Sequence, residues 1–238
     1  MPCNENDAKK DFSLAFIGAS LLNSAMQRHD EIPIASGDLR NVLRSLNGLP
    51  SDYSGHLNLL INDFNPVIFC RNVVLLLILG NVSDENLAAD IALHFWYSAF
   101  IPLEHRFQTS GVLGLFLQRM RENQFPIPLG PRSTLSTTLS RELAEYFLHF
   151  ISCSFSIGDI QNEYDRVRTA PSRRDYRDRM YASLRPSHRV AFQQFRRFGI
   201  VLPFGAFNAH FNCPNLSLFS LEGKWLQTDY ADPLDGWE

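Results

Sequence analysis

The sequence predicts an α/β domain of three layers, a largely parallel sheet with helices on both faces. Short apolar segments of strand length alternate with longer segments of helical period. A single glycine, Gly37, stands between one such strand and the helix that follows it, and the next strand ends in an acid, Asp63. Strand, glycine turn, helix and acid-ended strand is the opening unit of a doubly wound sheet.

The elements follow in order. "FSLAFI" (12–17) and "IPIA" (32–35) read as strands. Residues 38–46 read as a helix with Val42, Leu43 and Leu46 on one face, and "NGLPSDYSG" is dense in turn residues. "HLNLLIN" is a strand that "NDFNP" ends; Pro66 then suits the first turn of a helix to Leu79, with Gly80 as its stop. Ser83 is placed to cap a helix over "DENLAADIALHFWYSAF" that Pro102 ends. "LEHRFQTSGVLGLFLQRMREN" reads as helix, weakened by Gly111 and Gly114. The proline-rich turn "FPIPLGPRS" precedes an amphipathic helix, "LSRELAEYFLHFISC".

From Tyr164 the character changes. Between Arg166 and Arg197 there are ten arginines and only two acids, Asp175 and Asp178. Tyr176, Met180, Tyr181 and Leu184 recur there at core spacing. The remainder is rich in aromatics, prolines and glycines and ends in the acidic "DYADPLDGWE", an intramolecular partner for those arginines.

With 45% hydrophobic and 20% charged residues, the composition is that of a globular protein, and nineteen Phe can supply a large aromatic core. A net charge of −3 gives no global pull toward nucleic acid or an anionic membrane. The four cysteines are far apart, which argues against a disulfide framework or a zinc site. "MPCNENDAKKDF" does not read as a secretory signal, and "VVLLLILG" is too short to span a bilayer. The cytoplasm or nucleus is the expected compartment.

Candidate site residues gather at the first turns. Ser36, Gly37 and Asp38 would let a ligand approach the backbone at a helix start, while Asp63 could accept ribose hydroxyls. Equally, Gly37 reads as a plain turn and Asp38 as a helix cap. Arg71 interrupts an apolar helix and is expected to pair with Asp38 or Asp63, or else to meet a ligand. His94 and His149 sit in aromatic helices as core or boundary residues, and no metal spacing, nucleophile elbow or phosphate loop is present in the sequence.

The segments "ASGDLRNVLRSLNGLP", "YSGHLNLLINDFNPVIFCRN", "AADIALHFWYSAF", "LRPSHRVAFQQFRRFGIVLPFG" and "DYADPLDGW" together resemble one eukaryotic family, domain of unknown function 4470. Fungi carry it in many copies, often beside a MYND zinc finger, and it is similar to the N-terminal half of the third dynein axonemal assembly factor. The resemblance covers nearly all of the chain after Phe12. It implies a Rossmann-like, methyltransferase-like fold and assigns no catalytic residue. It also suggests one such domain over 12–238, an α/β core (12–160) with an Arg-rich and aromatic extension (161–238), after a flexible start at 1–11.

Three functions are open. The first is a non-catalytic methyltransferase-like module that binds a protein partner or serves assembly. The second is an S-adenosylmethionine-dependent methyltransferase, with Ser36, Gly37 and Asp38 lining the methionine side and Asp63 on the ribose. The third and weakest is RNA binding through the arginines.

In relatives the first strand runs directly into the glycine turn, whereas here residues 18–34 intervene. That segment has the character of an insertion or a retained intron. The expected spliced message joins the codons of Ile17 and Ala35; transcript sequencing that finds 18–34 present makes it a genuine insertion.

Overall fold

The computed structural model describes residues 9–18, 39–63, 65–138, 140–152, 155–203 and 205–226. The chain divides into two compact units, Met1–Asn72 and Val73–Trp237. Among the described residues there are eight α-helices and three small sheets, a mixed α/β architecture. No helix among them is long and apolar enough to cross a membrane.

In the first unit β1 (Phe12–Gly18) and β2 (Leu57–Asp63) form a parallel pair, in register from Phe12 opposite Leu57 to Gly18 opposite Asp63. Helix α1 (Arg40–Asn47) lies between them in sequence and buries Val42. Its N-cap position falls on Leu39, with no side-chain cap, rather than on the expected Asp38. The loop before β2 is tied to the entry of β1: the His56 N–H donates to Asp11 Oδ1 at 2.6 Å, and the Tyr53 hydroxyl donates to the Lys10 carbonyl at 3.1 Å. Burial alternates along β2, with Leu57, Leu59 and Ile61 half covered and Leu60 60% exposed. A strand in the middle layer of three is covered on both faces; this one is covered on one. The predicted strand at 32–35 lies outside the described residues.

Helix α2 (Pro66–Asn81) crosses the division between the units. The helix runs through Gly80 and ends at Asn81, one residue beyond the predicted stop. A Cβ at Gly80 would come within 3.0 Å of Leu129, so this glycine allows the last turn of the helix to touch a β-hairpin. That hairpin is β4 (Ile127–Leu129) with β5 (Ser133–Leu135), formed from the proline-rich turn.

Helix α3 (Glu85–Tyr97) is capped by Asp84, not Ser83: its Oδ1 accepts from the Leu87 N–H at 3.0 Å. It ends at Ser98, before the predicted limit at Pro102, and β3 (Phe100–Ile101) follows. Helix α4 (Leu103–Arg121) buries His105, Thr109, Leu113, Phe116 and Met120 at steps of three and four. Gly111 and Gly114 face open space, so the helix survives them because its packing lies on another face. Helix α5 (Arg141–Ile151) is capped by Ser140 and buries Phe147, His149 and Phe150. Phe147 meets Phe116 edge-on at 5.2 Å, and Arg106 of α4 donates to the terminal carbonyl of Ile151.

The Arg-rich region forms α6 (Ile157–Arg168), a 3-10 turn (Pro171–Arg173), α7 (Arg174–Ser183) and α8 (Pro186–Phe198). The predicted core stripe along α7 is not a core. Tyr176, Met180, Tyr181 and Leu184 are half-buried, and α7 contributes no buried residue. The buried positions of this region are Ile160, Tyr164 and Arg168 of α6 and Phe195 of α8. Helix α8 stops at Gly199, whose φ of +68° belongs to the left-handed region. A Cβ there would also stand 2.9 Å from both Ala99 and Tyr164.

Three stretches then meet. The Ala99 N–H donates to the Gly199 carbonyl at 2.6 Å, and the Ala99 carbonyl accepts from the Asn215 N–H at 2.9 Å. Strand β3 pairs antiparallel with β6 (Cys213–Pro214). The Asn215 side chain, 1% exposed, directs its amide at the carbonyls of His94, Phe95 and Ser98 at 3.2, 2.8 and 2.8 Å. Its Oδ1 accepts from the Ser217 hydroxyl at 2.7 Å. Burial puts this asparagine, although it heads a glycosylation sequon, beyond a transferase's reach in the folded chain.

Asn215→Ala strands carbonyls at the buried end of α3 and is expected to cost about 2–3 kcal/mol, read as a lower urea midpoint. An unchanged midpoint would show that water replaces the amide.

Candidate functional site

Asp63, Asn65 and Pro66 turn β2 into α2. Asp63 Oδ1 accepts from the Asn65 N–H at 2.8 Å, and Asn65 Oδ1 accepts from the Val67 N–H at 3.0 Å. Two successive side-chain turns thus satisfy backbone donors at the strand end and in the first turn of the helix, and proline at the first helical position needs no partner. The parallel register sets Gly18 beside Asp63, so both strands end on one edge. A carboxylate on that edge is placed as in nucleotide-binding sheets. Ser36, Gly37 and Asp38 lie outside the described residues. Gly18, assigned in the sequence to the start of the intervening segment 18–34, is the last residue of β1.

Arg71 is among the largest fully buried side chains, at 2% exposure. A guanidinium so placed must be served by acceptors; of the two carboxylates expected to face it, Asp38 is outside the described residues. Cys70 beside it is buried, which pushes its thiol up to about 12 and makes it chemically inert at neutral pH.

A second cluster unites α3, α4 and the residue after α3. Asp90 Oδ1 lies 3.5 Å from His94 Nε2, its Oδ2 lies 3.2 Å from His105 Nε2, and His94 Nδ1 lies 2.9 Å from Ser98 Oγ. The Val201 N–H also donates to Ser98 Oγ at 3.1 Å; with the Asp90 carboxylate facing Nε2, the tautomer assigned to suit both neighbours is the one protonated at Nε2, which accepts the Ser98 hydroxyl at Nδ1. Acid, imidazole and hydroxyl have the order of a catalytic triad, but Ser98 is 0% exposed. No substrate reaches its oxygen, and the hydroxyl serves to join residues 98 and 201. Burial holds His94 down at about 4, against the pull of Asp90 and with help from His105 and His210, and it lowers His105 as well. Among the described residues no group of His, Cys, Asp and Glu is arranged to hold a metal ion. His149, as expected, is a core residue; its Nε2 meets the Phe219 carbonyl at 3.1 Å, and burial lowers it too.

Many arginines of the basic region serve the fold. Arg168, 3% exposed, has its guanidinium 5.5 Å from the Tyr164 and Phe195 rings and 5.1 Å from that of Trp225. Arg166 grips Glu163 through two bonds of 2.7 and 2.8 Å, which holds that carboxyl below its usual range. Glu163 also accepts from the Trp225 N–H at 2.9 Å. Arg189 donates to the Leu184 and Ala182 carbonyls at the end of α7. The acidic segment expected to meet these arginines, 229–238, lies outside the described residues.

Residues 5–101 match the family described as Domain of unknown function (DUF4470). The match takes in β1 through β3, less of the chain than the resemblance suggested, and leaves out the Arg-rich helices and the Asn215 segment. No curated protein and no solved structure matches the chain.

The buried histidines give a pH dependence. Their folded values lie below the unfolded value of about 6.5, so the unfolded chain takes up protons first and stability is lost as pH falls from about 6.5 toward 4. Urea midpoints are expected to fall between pH 7 and pH 5, and less so in His94→Gln; equal midpoints would contradict the neutral, buried state.

Proposed function

We propose that the chain is a non-catalytic, methyltransferase-like module of Rossmann type that binds a protein partner or serves assembly in the cytoplasm or nucleus. Residues 12–160 would be its α/β core and 161–238 an extension. The order β1, α1, β2, α2 with parallel pairing supports the Rossmann-like reading, since that is the first half of such a sheet. The observation that carries the non-catalytic part is the use of Asp63: its Oδ1 builds the strand-to-helix turn by accepting from Asn65. The buried hydroxyl of Ser98 points the same way, since the one acid–imidazole–serine series described above is spent on packing.

The second reading, an S-adenosylmethionine-dependent methyltransferase, is favoured by the register that sets Gly18 against Asp63. In a chain joined from Ile17 to Ala35, Ala35 would take the place of Gly18, and Ser36, Gly37 and Asp38 would follow the strand at once. These residues would line the methionine side, and Asp63 would take the ribose. Methyl transfer can run largely on in-line positioning, so this reading needs no acid or base beyond them.

Calorimetric titration with S-adenosylmethionine and S-adenosylhomocysteine separates the two. The expected result is no saturable heat at millimolar ligand from a chain shown to be folded. Saturable binding that Asp63→Ala abolishes would put the methyltransferase reading first.

A further inference from the structure

The solvent face of α4 is apolar where such a face is ordinarily polar. Leu103, Phe107 and Leu115 recur there at multiples of four residues and are 49%, 67% and 64% exposed. Gly111 stands at the step between the last two, and Gly114 lies one turn beyond it on the same face. We propose that this face is the contact between two copies of the chain, paired through antiparallel α4 helices about a two-fold axis at Gly111. Asp63 and the other candidate site residues lie elsewhere, so the inference goes beyond the proposed function and holds for either reading of it.

Charge selects the occupant and its direction. Helix α4 begins with Glu104 and ends with Arg119 and Arg121, all exposed, beside a single acid, Glu122. Among the described residues none of Glu104, Arg119 and Arg121 forms an ion pair. An antiparallel copy brings Glu104 to the partner's Arg119, and symmetry makes the same pair a second time. It also sets the two helix dipoles against each other head to tail. A parallel copy would place like charges together at both ends. The face therefore complements itself in one orientation, as a two-fold contact requires.

Shape agrees with charge. Glycine in a helix interior is less favourable than alanine. At Gly80 the close approach of Leu129 accounts for it, but a Cβ at Gly111 or Gly114 would meet nothing within 4 Å. Neither of these two glycines has a positive φ. What they allow is close approach from outside the chain. With Gly111 at the axis, Phe107 faces the gap left by the partner's Gly114 and lies beside the partner's Leu115, a ring set into a hollow of backbone. A single helix pair covers less than the roughly 1,600 Å² of a standard interface, so the association is expected to be micromolar.

The test is sedimentation velocity of the full chain over a concentration series. A reversible monomer–dimer equilibrium is expected, weakened about tenfold or more by Gly114→Gln. When dilute, the same variant should melt at an equal or higher temperature, because glutamine favours helix and its Cβ meets no neighbour in the chain. A lost dimer is thereby told apart from a lost fold. Glu104→Arg should weaken the dimer, and adding Arg119→Glu should restore it. A chain that stays monomeric at every concentration would overturn the proposal, as would a dimer that Gly114→Gln leaves unchanged or a charge exchange that fails to rescue. Dimers that form only after deletion of residues 19–34 would overturn it too, by giving the face to that segment. S-adenosylmethionine heat, present or absent, does not bear on the dimer.

Discussion

A helix that ends inside a protein leaves carbonyl oxygens that water cannot reach, and the way α3 ends decides where three other stretches of the larger unit lie. Its terminal carbonyls are met by the amide of one side chain, Asn215, which comes from more than a hundred residues away. Once that amide is in place, β6 lies along β3, Ser217 reaches the Phe95 carbonyl, and Leu216, Leu218 and Phe219 enter the core. On the other flank Gly199 and Val201 bond to Ala99 and Ser98. An unmet buried carbonyl costs more than a typical hydrogen bond gains, so these bonds act as a requirement on the fold more than as a sum of small gains. Gly199 is part of the same requirement, because any side chain there would hold Ala99 and Tyr164 apart.

The same logic governs charge in this unit. Cations and acids buried near this junction are each enclosed by groups that suit one protonation state. Arg168 keeps its charge among three ring faces, which attract a cation at modest desolvation cost. His94 and His149 give theirs up because burial outweighs the acceptors beside them. Glu163 is half-buried yet stays ionised, with Arg166 on one side and the Trp225 N–H on the other. The C-terminal aromatic segment is thereby tied to α6 by a carboxylate and to α5 by the ring of His149.

Much of this was legible in the residues, and the failures share a cause. Strand β2 follows from its alternation, and helices α3 to α5 follow from periodicity because each buries one face. Boundaries set by tertiary contact were misplaced: Gly80 looks like a stop and is a point of close approach, and α3 ends short of Pro102 because Asn215 and Gly199 claim the backbone at 98 and 99. The spacing of Tyr176, Met180 and Tyr181 is that of a core stripe, but on α7 these side chains are only half-buried. Periodicity reports that a face is apolar, not what covers it. His94 and His149 were rightly read as core or boundary residues, whereas the Asp90–His94–Ser98 series, at steps of four along α3 and its C-cap, was a local pattern that was overlooked, and its links to His105 and Val201 left none. Of the four predicted cofactor residues, Ser36, Gly37, Asp38 and Asp63, only Asp63 falls within the described structure, and its neighbour across the sheet, Gly18, could be found only through strand register.

What unites the acids described above is where their oxygens go. Asp63 serves the Asn65 N–H, Asp84 the Leu87 N–H, Asp159 the Ser156 hydroxyl, and Glu163 an arginine and the Trp225 N–H. Each is used within a few residues or within the core, as a cap, a turn or an anchor. The arginines of α6 to α8 divide differently. Arg166 and Arg179 close pairs with Glu163 and Asp175, while Arg177, Arg189 and Arg196 donate to backbone carbonyls. A carboxylate that caps a helix and a guanidinium that meets a carbonyl answer the same need, a backbone group that the fold would otherwise leave without a partner.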